Sequence, residues 1–143
     1  MSAEKLYTPD LLAATLELVH YPPLESATLR GDARSPTCGS TLAMDLMLAS
    51  DGSLERIGLT VRACAVGQAS AAVFARHAAG RSDAEILATA ERFAAWLEDE
   101  APIPGWPDMT LIAPAQSYPA RHGAMLLPWK AAITALSPHS GAR

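Results

Sequence analysis

The chain has 143 residues, half of them hydrophobic, with a formal charge of −4 and a mean hydropathy of +0.12. That length and apolar content suit one folded domain with its own core and exclude a disordered chain. No apolar run reaches the roughly 18 residues of a membrane span. Met1–Lys5 opens without a hydrophobic leader, and there is no basic tract. The expectation is a cytoplasmic protein whose partners are neither nucleic acid nor membrane.

In chain order, Thr8-Pro9 opens a first helix, with threonine as the cap and proline at the first helical position. Leu11, Leu12, Leu16 and Val19 form its apolar stripe, and Pro22-Pro23 ends it. Residues 24–33 read as a short strand. Two alternating runs follow. Leu42, Met44, Leu46 and Leu48 alternate with Ala43, Asp45 and Met47. Ile57, Leu59, Val61 and Ala63 alternate with Arg56, Gly58, Thr60 and Arg62. A period of two marks half-buried strands, and Asp51-Gly52 between them is a hairpin signal. With those two residues as the turn, Gly39 faces Cys64. Cys38 and Cys64 are the two cysteines of the chain, with 25 residues between them in sequence. The hairpin brings them to one end of the sheet. In a cytosolic chain they are free thiols or metal ligands before they are a structural disulfide.

Residues 66–79 read as an alanine-rich helix closed by Gly80. Ser82-Asp83-Ala84-Glu85 is a capping box that starts another helix, running to about Glu98. Its expected inner face is Ile86, Leu87, Ala90, Phe93, Ala94 and Leu97. Five prolines stiffen a crossover at 99–119, with a short helix near Met109–Ala113. The last helix is expected over about Ala124–Leu136, kinked or delayed by Pro128. Strands followed by helices give an α+β fold, a small antiparallel three-stranded sheet packed on several helices.

Four motifs, in order, resemble the iron–sulfur cluster assembly scaffold family (the NifU N-terminal domain, IscU and SufU). They are Ser35-Pro36-Thr37-Cys38-Gly39 before a strand; Ala63-Cys64-Ala65 with the small-residue stretch Gln68-Ala69-Ser70-Ala71; Gly80-Arg81-Ser82; and Tyr118-Pro119-Ala120-Arg121 followed by Trp129-Lys130-Ala131. The long insert at 99–117 points to the SufU branch, and the resemblance spans nearly the whole chain, 1–143. It implies the SufE/NifU-like fold and no catalytic activity of an enzyme. It also implies a surface site of three cysteines and one aspartate that holds zinc or a transient iron–sulfur cluster, or accepts persulfide sulfur. Carried over, Cys38 and Cys64 are the first two cysteines, Ser40 stands at the aspartate and Ala124 at the third cysteine. Two of the four ligands are therefore replaced by groups that do not bind soft metals. The implied partners are a cysteine desulfurase, downstream iron–sulfur acceptor proteins and a second copy in a homodimer.

The other site candidates each have a plain alternative. His122, two residues before Ala124, is a replacement ligand or a solvated loop histidine. Asp45 is more simply a solvated strand residue, and His77 lies too far along its helix from Cys64. Arg62 and Arg121 either depress a nearby thiol pKa or are solvated. Cys38 is the expected sulfur acceptor and the more accessible thiol. Three readings stand: an iron–sulfur scaffold or sulfur acceptor with a degenerate site, a metal-free interaction module of the same fold, and a two-cysteine redox switch. There is no Gly-rich phosphate loop, Cys-x-x-Cys or nucleophile elbow.

Overall fold

A computed structural model describes the backbone of residues 6–141 and the side chains through Ser137. Met1–Lys5, read above for a leader, lie outside the described residues. The elements are α1 (Pro9–Thr15), continued by a 3₁₀ turn (Leu16–His20), then β1 (Leu29–Arg34), β2 (Thr41–Leu48) and β3 (Leu54–Arg62). After them come α2 (Ala65–Ala78), α3 (Asp83–Leu97), three 3₁₀ turns between Met109 and Arg121, and α4 (His122–Gly141). This is α+β: one antiparallel sheet in the order β1-β2-β3 with the helices against one face.

The hairpin has the expected register with a different turn. Thr41 pairs with Arg62 and Met47 with Arg56, whereas Leu48 pairs with Leu54. The turn is one residue longer than Asp51-Gly52 alone. Ala49 N–H donates to the Ser53 carbonyl at 2.8 Å, and Gly52 N–H donates to the Ala49 carbonyl at 2.9 Å. Glu55 is then an extra residue on β3, and this bulge cancels the longer loop. Leu42, Met44 and Leu46 consequently point into the core, fully buried.

α1 begins as read: Leu11 N–H donates to Thr8 Oγ1 at 3.1 Å, and Pro9 is at its first position. Its apolar stripe does not continue as a single α-helical face. Leu11 and Ala14 are buried, but Leu12, Leu16 and Val19 are 45%, 73% and 76% exposed. The helix tightens to three residues per turn after Thr15, so Leu18 packs inward instead. The expected strand over 24–33 begins later, at Leu29, because residues 21–24 lie across the sheet rather than within it.

Ser82 caps α3 through the reciprocal capping box with Glu85. The buried face is Ile86, Phe93, Trp96 and Leu97, while Leu87 is 47% exposed. α4 starts at His122, earlier than the proline suggested, and Pro128 lies inside it. Ser70 Oγ donates to the Met125 carbonyl at 2.6 Å, a buried bond joining α2 to α4. The proline-rich crossover is anchored in the core. Trp106 Nε1 donates to the Val73 carbonyl at 3.0 Å, and its ring stacks on Phe74 at 5.2 Å between centroids. Phe74, Phe93 and Trp106 all meet the buried Trp129 edge to face. Such ring pairs contribute about 0.5–1.5 kcal/mol each beyond their buried area.

Candidate functional site

The loop between β1 and β2 is built to present Cys38. Ser35 N–H donates to the Ser40 carbonyl at 2.8 Å, which closes the loop, and Gly39 N–H donates to the Ser35 carbonyl at 2.7 Å inside it. Gly39 sits at φ +75, a left-handed conformation that a side chain would strain. The result is an exposed cysteine between two buried serines. Cys38 Sγ lies 3.1 Å from Ser40 Oγ and 3.5 Å from Ser35 Oγ. A protonated thiol donates its single hydrogen to one of these oxygens; a thiolate accepts from both hydroxyls. Those bonds, first from Ser35 and then from Ser40, lower the Cys38 pKa below the ordinary thiol value. The Arg121 charge adds a smaller effect in the same direction.

Ser35 opens the first cysteine motif without being one of the site candidates above, and its packing explains why it matters. It is 1% exposed, and the first turn of α4 leans against it. A Cβ built on Gly123 would run into Ser35 Oγ. Only a glycine lets α4 approach this closely. The Ser-Pro pair that opens the loop was the available signal.

Cys64 is half-buried and is the N-terminal cap residue of α2, its backbone extended at φ −64 and ψ 171. Its side chain makes no capping hydrogen bond. The ladder places it with Cys38 at one end of the sheet. Thr41 opposite Arg62 is the last pair, Cys38 is three residues before Thr41 and Cys64 two after Arg62. Ala124 is fully buried at the same junction. A Cβ on Gly67 would lie 2.7 Å from Ala63 Cβ and 3.3 Å from Ala124 Cβ. The first turns of α2 and α4 therefore meet beside Cys64, and the Ala124 methyl sits between them.

The remaining candidates divide. His122 is at the start of α4, but its Nε2 donates to the Gln116 carbonyl at 2.7 Å. A carbonyl only accepts, so Nε2 carries the proton and only Nδ1 keeps a lone pair. Arg121 donates to Tyr7 Oη at 3.1 Å and supplies the charge felt by Cys38. Arg62 is exposed on the opposite face of β3. Asp45 is held midway along β2 by Arg30 Nε and the Leu24 N–H, both at 3.0 Å, away from the thiol end. His77 is bound to Asp108 at 2.7 Å. Among the described residues, no three His, Cys, Asp or Glu side chains converge as a metal-holding group. The donor set at the site is two thiols, which does not fit a closed four-ligand zinc centre.

No family model matches the sequence, and no curated protein matches it. Solved structures do. The N-terminal part of a nitrogen-fixing NifU-like protein from Brucella abortus superposes with a TM-score of 0.89 at 27% identity, over 98% of each chain. A protein of Fervidobacterium islandicum AW-1, assigned as an iron–sulfur cluster assembly scaffold of the SUF system, gives a TM-score of 0.81 at 18% identity. That match covers 94% of this chain and 99% of the other. At 18% identity the second match shows the fold alone. Together they establish a NifU-like fold over nearly the whole chain.

Proposed function

We propose that the chain is a sulfur-accepting assembly protein of the iron–sulfur scaffold type, with Cys38 as the acceptor and Cys64 as its companion thiol. The observation that carries the reading is Cys38 itself. It is an exposed thiol whose anion is held by two buried hydroxyls, at the end of the sheet shared with Cys64. The NifU-like fold supports it. In this reading the Cys38 thiolate attacks the terminal sulfur of a persulfide on a cysteine desulfurase. The new Cys38 S–S bond forms as the donor's S–S bond breaks, and the donor leaves as a thiolate. No external oxidant or reductant is needed. The Ser35 and Ser40 hydroxyls favour the anionic form of the attacking sulfur, and access leaves the donor room to approach. Iron–sulfur clusters and their acceptor proteins are then the downstream cargo and partners. With two thiols per chain, a bridged cluster draws its other ligands from a second copy. The protein itself catalyses nothing.

Mass spectrometry after incubation with a cysteine desulfurase and cysteine, without reductant, tests this. Cys38 should gain one sulfur atom, Cys38→Ser should abolish the gain and Cys64→Ser should keep it. Sulfur appearing on Cys64 alone, or on neither, sinks the reading. The chain purified without added metal should carry well under one zinc per molecule. A stoichiometric zinc that resists mild chelation would contradict the two-thiol site and point to His122 Nδ1.

A further inference from the structure

The outer face of the sheet is covered over half its length. Residues 21–24 cross the half nearer the hairpin turn. The Tyr21 carbonyl accepts from Leu59 N–H at 2.9 Å, and Leu24 N–H donates to Asp45 Oδ2 at 3.0 Å. A Cβ on Gly58 would lie 2.6 Å from the Pro22 carbonyl oxygen, so the crossing is tight. The other half, at the thiol end, stays exposed. It holds a groove of about 500 Å³ whose walls include Asp32, Arg34, Thr41, Ala43, Thr60 and Arg62.

The ladder sets the charge pattern of that groove. Arg34, Thr41 and Arg62 form one row across the three strands, and Asp32, Ala43 and Thr60 form the next. Two strand spacings put the two arginine backbones about 10 Å apart. Neither arginine has an ion-pair partner among the described residues, and neither does Asp32. The chain as a whole carries 15 acidic against 11 basic side chains, so two unpaired guanidinium groups in one row run against its composition. Position adds to charge. Arg34 and Thr41 flank the loop that presents Cys38, so a segment seated on this row lies at the thiol end of the sheet.

We propose that this half-face docks an acidic, extended segment of the protein that exchanges sulfur with Cys38, one carboxylate on Arg34 and one on Arg62. The proposal rests on the sulfur-accepting reading for the identity of the partner. A guanidinium takes a carboxylate through two parallel hydrogen bonds, which gives direction as well as attraction. Carboxylates two residues apart on an extended segment lie on one side, about 7 Å from each other. Two flexible arginines rooted about 10 Å apart reach that spacing. Asp32 beside the row selects against a continuous polyanion such as a nucleic-acid backbone and leaves two separated carboxylates favoured. Thr41 and Thr60 supply hydroxyls for the segment's main chain.

Fluorescence anisotropy on the full chain tests the proposal with three labelled probes. These are a peptide of alternating glycine and glutamate, its lysine counterpart and a single-stranded oligonucleotide of equal length. The glutamate peptide should bind, more weakly as salt rises, and the lysine peptide should not. Arg34→Glu with Arg62→Glu should weaken binding about tenfold or more, because both charge-assisted pairs are lost. The bound peptide should also slow alkylation of Cys38 by uncharged iodoacetamide in the wild type and not in the double variant. Circular dichroism checks that the variant folds. If it does not, Arg34→Gln with Arg62→Gln replaces it, with a smaller loss expected. Three results overturn the proposal: no binding of the glutamate peptide, binding unaffected by the substitutions, or tighter binding of the oligonucleotide. Unchanged labelling of Cys38 with the peptide bound overturns it as well. None of these readouts uses sulfur transfer, so failure of transfer to Cys38 and failure of docking are separate results.

Discussion

Cys38 and Cys64 are one chemical group in two settings. Cys38 is exposed and its sulfur has two hydroxyl neighbours, while Cys64 is half-buried at the start of α2. Alkylation proceeds through the thiolate and needs access, and Cys38 has both. Native protein treated with iodoacetamide should therefore label Cys38 first, with a pH midpoint below that of an ordinary thiol. Ser40→Ala removes a hydroxyl that stabilises the anion, so its midpoint should move upward and labelling at neutral pH should slow. Mass spectrometry across a pH series reads both effects. Faster labelling of Cys64, or an unmoved midpoint in Ser40→Ala, contradicts the assignment.

At the scale of elements, the site depends on how closely α4 approaches the β1–β2 loop. The approach is set at Gly123, where a methyl group would collide with Ser35 Oγ. Gly123→Ala must push the helix start or the loop aside, and overpacking of this kind costs about 1–3 kcal/mol. The Ser35 hydroxyl then leaves its place beside Cys38 Sγ, so the thiol pKa should rise as the denaturation midpoint falls. Chemical denaturation and the alkylation profile of one sample test the pair of effects. A stability loss with no change in the thiol would show that Ser35 does not act through its position. The same contact explains why α4 begins at His122: its first turn is seated on this loop, not merely on the apolar run from Ala124 onward.

Across the whole molecule, one charged cluster joins three distant stretches of chain. Arg76 on α2 donates to both carboxylate oxygens of Glu17, at 2.8 and 2.5 Å, and to Asp108 at 3.1 Å. Arg76 holds the Glu17 carboxyl below its ordinary pKa. His77 first and Arg76 next do the same for Asp108. Carboxyl groups depressed on folding add stability that is present above their unfolded pKa values and is lost as pH falls through the folded ones. The loss should fall in the acid range below about pH 4.5. Both carboxylates are a third or more exposed, so solvent screening keeps the contribution of each pair to about 1 kcal/mol or less. Arg76→Ala should lower the melting temperature at neutral pH and flatten its decline on acidification. A variant with an acid decline as steep as the wild type would remove the cluster from the account.

The sequence by itself determined the elements whose signals are local. Alternation fixed the face of each hairpin strand, so register and the shared end of Cys38 and Cys64 followed even though the turn is longer and a bulge at Glu55 restores the pairing. Caps placed the starts of α1 and α3, because a Thr-Pro pair and a Ser-x-x-Glu box act within four residues. Only the tertiary structure decided features that join segments far apart in the chain. The stripe of Leu12, Leu16 and Val19 is exposed because α1 tightens after Thr15 and changes phase, which no single-helix periodicity reveals. Leu24 belongs to a crossing over the sheet rather than to β1, since the fit of Pro22 over Gly58 involves residues 36 positions apart. Ser35 became part of the site for the same reason. Its hydroxyl is held beside Cys38 by the local loop, but its burial comes from α4, nearly ninety residues later in the sequence.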